Sequence, residues 1–368
     1  MLKLMEKRKE LISLIEEITH EKGYFDVQDL VERTGLPRST LQDWINRFVD
    51  EGCVEVLEER AGRRRARYAR RRARSLPTSA CKHIFTTADD ETVEIFHECR
   101  SEGCISFCEY MYRRGNPHVR KNGLILRQRV KAGTPLRCSD ARTSLCLEKV
   151  ENRDGVVYQY IRTFGGPAYS LTEMMEQADG VLDIKYSPMG SYVEGVIATE
   201  ALTHLVISVD DTDTPEHGAT FALALSLLDL LSSLEGVHRI SHNVGFLYPG
   251  VPGITAGNAI SYIEMGVKHE LADSIVDTAI EYLRSQTHSE NTGMAVKKGL
   301  RRCPELVRFT QRARSGIVTL EEALAAAEKS RVDVHEITGS RGIIGAVAAL
   351  GMVDCPEGTL MDVRKEIG

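Results

Sequence analysis

No apolar run in this 368-residue chain approaches the length of a membrane span, so the pattern offers no helix for the bilayer. Met1 to Ile18 alternates charge with Leu and Ile and lacks the apolar centre of a secretory signal. A cytoplasmic protein with no membrane partner is therefore expected. There is no G-x-x-x-x-G-K-[ST] loop and no complete G-x-G-x-x-G, so neither a P-loop nucleotide hydrolase nor a Rossmann dehydrogenase is supported. Nine cysteines, an odd number spread along the chain, argue against a disulfide framework and leave thiols or metal ligands. With 42% hydrophobic and 27% charged residues, the composition is that of a globular protein with room for two or three domains.

The net charge of −6 conceals segmentation. Residues 1–59 carry −6, residues 60–74 hold nine Arg and no acid, and the remainder carries −9. A basic knot on an acidic chain indicates one local anionic partner. Before it, Leu4, Leu11, Leu14, Ile15 and Ile18 form a helical stripe, Asp26 caps a second helix that Gly35 closes, and Pro37 opens a third running to Asp50. A strand follows at Cys53–Leu57. This order is that of a winged helix-turn-helix over residues 1–74. Its third helix would expose Arg38, Ser39, Thr40, Gln42, Asp43, Asn46 and Arg47, and its wing would carry Arg63, Arg64 and Arg65. Such side chains hydrogen-bond phosphates and base edges, which makes nucleic acid the expected partner, DNA favoured over RNA. A protein-docking module and a solvated Arg linker are the plain alternatives. A homodimer is left open.

Ser75–Ser79 reads as a linker, and residues 80–200 as an α+β middle domain with strands at Thr92–Phe96, Gly123–Val130 and Val156–Phe164 and a short helix at Leu171–Ala178. It carries Cys81, Cys99, Cys104, Cys108, Cys138 and Cys146. Cys104 and Cys108, four apart, could face one way on a helix, and with Cys99 could bind zinc or an iron–sulfur centre. The spacing matches no standard zinc ribbon, and buried thiols are the alternative.

Residues 203–368 alternate strands and helices, which points to an α/β, ferredoxin-like sandwich and makes the whole chain multidomain α+β. The stretch LVISVDDTDTPEHGATFALALSLL, from Leu205 to Leu228, gives a buried strand, then Asp210, Asp211 and Asp213, then an apolar helix. Strand alternation sends Asp211 and Asp213 to one side and Asp210 to the other. Carboxylates ahead of a helix N-terminus suit Mg²⁺ and phosphate, or equally a polar turn with a helix cap. Near the far end, Gly339-Ser340-Arg341-Gly342 enters a helix where glycines admit an anion or simply close packing.

This stretch resembles the opening of the kinase-like catalytic domain of the archaeal tRNA-isoleucine agmatidine synthetases, in which Asp-Asp-Thr-Asp follows a strand and a Thr-bearing helix comes next. Pro252, Thr255, Gly257 and Asn258, then Glu290-Asn291-Thr292-Gly293, then Arg341-Gly342-Ile343-Ile344-Gly345-Ala346 with Ala348, Ala349 and Gly351, resemble later motifs in the same order. The resemblance covers about residues 203–355. From about Cys81 onward the chain is also similar to the archaeal methanogenesis marker protein 11 family, which brings no reaction with it. The synthetase resemblance implies ATP, Mg²⁺ and phosphoryl transfer. It gives Asp211 and Asp213 the metal, Asp210 a water or second ion, and Thr220 the phosphoryl group. Thr214, Gly218, Thr255, Gly257, Asn258, Arg341 and Gly342 would then bind nucleotide. Ala256 stands where the family has Arg, Asn291-Thr292-Gly293 replaces Asn-Pro-Gly, and the family's oligonucleotide-binding fold and zinc ribbon would lie beyond Gly368. The ATP site is thus expected to be shared more fully than the acceptor. The rival expectation is a transcription regulator whose C-terminal half senses a nucleotide or small cation without turnover.

Overall fold

The computed structural model describes residues 2–50, 53–58, 65–70, 81–116, 119–139, 142–165, 174–252 and 257–353. Arg63, Arg64, Thr255, the linker at 75–79 and residues 171–173 of the expected short helix lie outside them. The chain divides into two compact units, Met1–Thr78 and Ser79–Gly368.

In the first unit, α1 (Leu2–Lys22), α2 (Val27–Thr34) and α3 (Arg38–Asp50) precede β1 (Val54–Glu58) and β2 (Arg67–Arg70). The strands pair antiparallel, with Val54 opposite Arg70, and Phe25 bridges to Tyr68. A capping box starts α2: the Asp26 side chain accepts from the N–H groups of Gln28 and Asp29, and the Asp29 carboxylate accepts from Asp26 N–H. Gly35, at φ 67°, takes the left-handed conformation that ends the helix, with its N–H on the Val31 carbonyl. The apolar stripe read along α1 buries Leu11, Ile15 and Ile18 against Leu30, Leu41, Ile45 and Phe48 in one core.

The second unit runs β3 (Cys81–Ala88), β4 (Thr92–Cys99), α4 (Glu102–Gly115), β5 (Arg120–Asn122), β6 (Ile125–Lys131), β7 (Ser144–Arg153), β8 (Val156–Phe164), β9 (Val181–Pro188) and β10 (Tyr192–Asp210). Then come α5 (Thr220–Ser232), β11 (Val237–Phe246), β12 (Ala259–Val267), α6 (Ala272–Gln286), β13 (Gly293–Lys298), α7 (Pro304–Ser315), α8 (Leu320–Ser330), β14 (Asp333–Glu336) and α9 (Gly342–Met352). Twelve strands join one sheet around β10. The first part of β10 pairs with β8 and β9, Ala201 and Leu202 meet β3 in parallel, and Thr203 onward pairs with β12 and β13. A boundary between 200 and 203 therefore falls inside a single strand of 19 residues.

β10, α5, β11, β12, α6 and β13 follow the β-α-β-β-α-β order, with spatial order β11-β12-β10-β13 and every pair antiparallel. This is the split arrangement of a ferredoxin-like sandwich. Leu205, Ile207 and Val209 pack with α5 and α6 on one face. On the other face, Val206, Ile260, Tyr262 and Ala295 pack with α7, α8 and α9. The result is three layers, with helices covering both faces of an antiparallel sheet.

Sequence pattern misses one helix here. The stretch from Gly299 to Gly316 reads as basic and polar, yet Leu306, Phe309 and Ala313 recur at helical spacing and bury one face of α7. Thiols throughout are also corrected at one pair. Cys138 and Cys146 form a disulfide with Cα atoms 5.8 Å apart, because the segment after β6 runs beside β7 and bonds Leu136 N–H to the Glu148 carbonyl.

Leu228 of α5 is fully buried between β10 and α6. Leu228→Ala is expected to cost about 2–5 kcal/mol, the range for a core cavity of this kind, as measured by urea unfolding at equilibrium.

Candidate active site

The site begins with the pleat of β10. Val206 and Ser208 face α9, where Ser208 Oγ donates to the Ala346 carbonyl at 2.7 Å. Asp210 continues this set, and its carboxylate lies against Gly345, where any Cβ would collide with it. The backbone then turns left-handed at Asp211, φ 58°, which interrupts the alternation. Asp210, Asp211 and Asp213 consequently line one cleft, and the expectation that Asp210 points away is corrected.

Arg341 grips Asp211 from the opposite side. Its Nε donates to Oδ2 at 2.5 Å and its Nη2 to Oδ1 at 3.1 Å, the two-pronged geometry that suits guanidinium and carboxylate. Ser289 Oγ also donates to Asp211 Oδ1, at 3.1 Å, and Thr292 Oγ1 donates to the Asp211 carbonyl at 2.8 Å. Asp213 Oδ1 accepts from Thr220 Oγ1 at 3.1 Å, and Thr220 Oγ1 in turn accepts from Thr212 Oγ1 at 3.1 Å. Thr220 is the first residue of α5, so its hydroxyl joins the acidic turn to that helix.

Burial pushes Asp210 up to about 8, aided by the charges of Asp211 and Asp213 and partly relieved by a hydrogen bond from the Asp211 backbone and, less, by Arg341. The hydrogen bond to Asp211 holds Arg341 above its ordinary value. The remaining walls include the apolar side chains of Leu247, Val251, Val318 and Ile344, with Pro252 and Asn258 beside them. The arrangement can hold a polar, charged group at the carboxylate and guanidinium end and a flat apolar group at the other.

The other sequence candidates separate. Asn258 reaches the cleft and donates through Nδ2 to the Tyr248 carbonyl at 2.8 Å. Thr214 closes its own turn, with its N–H on the His217 carbonyl at 2.8 Å and its Oγ1 accepting from His217 N–H at 3.1 Å. Gly218 lines a separate depression with His288 and Tyr282, and Gly257 packs beside Phe246. Gly342 spends its N–H on the Asn291 carbonyl at 2.8 Å and lies against Gly293 N and Asp210 O, an approach that leaves no room for a Cβ. In the N-terminal unit, Arg38, Ser39, Thr40, Asn46 and Arg47 are exposed along α3. Gln42 is tied to Asn46 and to the Tyr68 hydroxyl, and the exposed Arg65 pairs with Asp26 at 3.2 Å. The sulfurs of Cys99, Cys104 and Cys108 lie within 4.8 Å of one another, in a part of the second unit separate from the cleft.

Ser289 and Thr292 are not legible as site residues in the sequence. Their only signal is proximity to Asn291 and Gly293, because a hydroxyl that orients a carboxylate has no spacing rule of its own.

No protein-family model matches the chain. Uncharacterized protein MJ0921 of Methanocaldococcus jannaschii is 30% identical over 207 residues, covering 55% of this chain and 67% of that protein. The chain belongs to the family of that protein. A second homology covers about 40% of the chain. The tRNA 2-agmatinylcytidine synthetase TiaS of Saccharolobus islandicus is 30% identical over 160 residues, 40% of this chain and 35% of the synthetase. The synthetase of Pyrococcus horikoshii is 29% identical over 152 residues. The chain thus spans about a third of the length of these synthetases, 35% in both cases. The crystal structure of TiaS in complex with tRNA and ATP aligns with 23% identity and a TM-score of 0.37 over 40% of this chain and 36% of that one.

Because Asp210 is pushed up to about 8 in the fold and returns to about 4 on unfolding, its burial weakens the fold as pH rises from about 4 to 8. In chelator-treated buffer Asp210→Asn should remove that decline. The stability difference between variant and parent should grow by up to about 1.4 kcal/mol per pH unit across this window and level off above it, read by denaturant unfolding at several pH values.

Proposed function

We propose that the Asp-Asp-Thr-Asp region, about residues 203–355, is an ATP- and Mg²⁺-dependent phosphoryl-transfer module whose acceptor chemistry is its own. The observation that carries this reading is the convergence of Asp210, Asp211, Asp213 and Arg341 on one cleft that also has an apolar wall. Three carboxylates face a single guanidinium there, a donor set of hard oxygens that a divalent cation fits. Asp211 and Asp213, with Asp210 beneath them, would hold Mg²⁺, which when bound neutralises charge on the phosphates.

The chain's own residues do the rest. Arg341 is held by Asp211 with its side chain 52% exposed, which leaves N–H donors for a phosphate oxygen. Leu247, Val251, Val318 and Ile344 offer a dry surface for a base. Thr220 is the proposed phosphoryl acceptor, since its hydroxyl already donates to Asp213. Its oxygen would bond to the γ-phosphorus as the bond to the β-phosphate oxygen breaks, ADP would leave, and Asp213 would take the proton. Homology to TiaS supports ATP use. Because the match spans only about a third of those synthetases, agmatidine formation on tRNA is not carried over. Kinship with methanogenesis marker protein 11 is part of the proposal and adds no reaction to it.

For the first unit the proposed role is that of a winged helix-turn-helix binding nucleic acid, with duplex DNA as the favoured partner. Support comes from α3, which buries Leu41, Ile45 and Phe48 and exposes Arg38, Ser39, Thr40, Asn46 and Arg47, beside the paired β1 and β2. Arg38→Ala with Arg47→Ala should weaken duplex binding and reduce the salt slope, log K against log salt, by roughly 2, measured by fluorescence anisotropy. An unchanged slope removes α3 from the interface.

The decisive measurement for the second unit is incubation of the full chain with labelled ATP and Mg²⁺, separating ADP, AMP and protein-bound phosphate. Turnover is expected, and Asp211→Ala should lower it by about 100-fold or more while circular dichroism stays unchanged. Nucleotide bound without any product would leave a sensor in place of an enzyme.

A further inference from the structure

We infer that Cys81, Cys99, Cys104 and Cys108 form a mononuclear, tetrahedral zinc site at one end of the sheet, in a place the phosphoryl-transfer reading does not use. Topology brings the four together. β3 and β4 are antiparallel, so the first residue of β3, Cys81, lies directly opposite the last residue of β4, Cys99. The chain then enters α4 at once, with Ser101 as N-cap accepting from the Cys104 N–H. Cys104 falls in the first turn and Cys108 one turn later, on the same face. Cys81, Cys99 and Cys108 are buried in one cluster with Ile84, Ile105 and Met111, and Cys104 packs at its margin.

The sulfurs of Cys99, Cys104 and Cys108 all lie within 4.8 Å of one another, and Cys81 is the cross-strand partner of Cys99 in the same buried cluster. A zinc ion with bonds of about 2.3 Å places tetrahedral thiolates roughly 3.8 Å apart, so a small inward adjustment brings Cys99, Cys104 and Cys108 to ligand spacing, and a turn of the Cys81 side chain toward its cross-strand partner supplies the fourth thiolate. A four-iron cluster binds each thiolate to a different iron and needs them spread farther apart, which is why one shared ion fits better. Burial as inert thiols is the bland account. Against it, the sulfurs of Cys99, Cys104 and Cys108 converge from a strand end and a helix, with Cys81 beside Cys99 on the neighbouring strand, whereas Cys138 and Cys146 are joined as a disulfide. Four protein ligands leave no open position, so the ion would pin the start of α4 to β3 and β4 and perform no catalysis.

The test is metal analysis of the full chain, purified under reducing conditions and dialysed against a mild chelator. About one zinc ion per chain is expected. Cys99→Ser and Cys104→Ser should each lower retained zinc by more than about tenfold, and Cys303→Ser, in another core cluster, should not. Should a serine variant fail to fold, the parent protein refilled with Co²⁺ decides: a thiolate-to-cobalt charge-transfer band with tetrahedral visible bands supports the site. Zinc far below one per chain with no uptake of added Zn²⁺, iron with sulfide in its place, or a Co²⁺ spectrum without the thiolate band would overturn the assignment.

Discussion

Helix α9 lies against the ends of β10 and β13 more closely than ordinary side chains permit, and the candidate active site exists because of that contact. Gly293, Gly342 and Gly345 are the points of approach: a Cβ at each would run into backbone or into the Asp210 carboxylate. Ten of the eleven residues of α9 are buried, so the helix cannot slide away to relieve the crowding. With α9 seated, Arg341 at its start is delivered to Asp211 across 130 positions of sequence. The pair is half exposed on the arginine side and contributes little to stability through charge alone. What it contributes is direction, since a planar fork on a carboxylate fixes both partners.

A second polar contact holds the rest of the sheet to this module. Arg127 on β6 donates to Glu94 on β4 and to Glu264 on β12, the latter at 3.0 and 3.1 Å. Burial alone would push Glu264 up, but Arg127 and His204 outweigh it and hold the carboxyl well below the usual carboxylate range. Ser241 donates a further hydrogen bond to the same carboxylate at 2.6 Å. A buried ion pair of this kind returns little net energy compared with an apolar pair, yet removing one member strands a charge. It therefore restricts which strands can lie beside one another more than it strengthens the fold.

Much of this architecture is legible in the residues, and the illegible parts share a cause. Leu205 to Val209 and the helix after it announce themselves by apolar run and length, and the acidic turn between them by its charge. The spacing of Cys104 and Cys108 shows only that they would share a face if the segment were helical, and the helix itself is known from the structure. By contrast, α7 hides its apolar stripe among five arginines from Arg301 to Arg314, so composition masks periodicity. At Gly342 the N–H faces the Asn291 carbonyl, and a glycine ahead of a helix looks the same in sequence whether that N–H meets a ligand or a neighbouring carbonyl. Strand alternation puts Asp210 on the wrong side because one residue at positive φ defeats it, and Asp, unlike Gly, rarely marks such a turn. Gathering Cys81 with the other three cysteines needs strand register, which no local window contains.

The unbroken length of β10 acts as a ruler between two neighbourhoods. Tyr192 to Glu200 answer to β8 and β9, Thr203 to Asp210 answer to β12 and β13, and one alternation runs through both. Adding or deleting a single residue at Ala201 or Leu202 would put the two halves out of phase. One half would then have to turn inside out, and if it were the second, the carboxylate now seated on Gly345 would be carried to the layer of α5 and α6. Parity set at the seam of this strand thus decides which way the acidic turn faces.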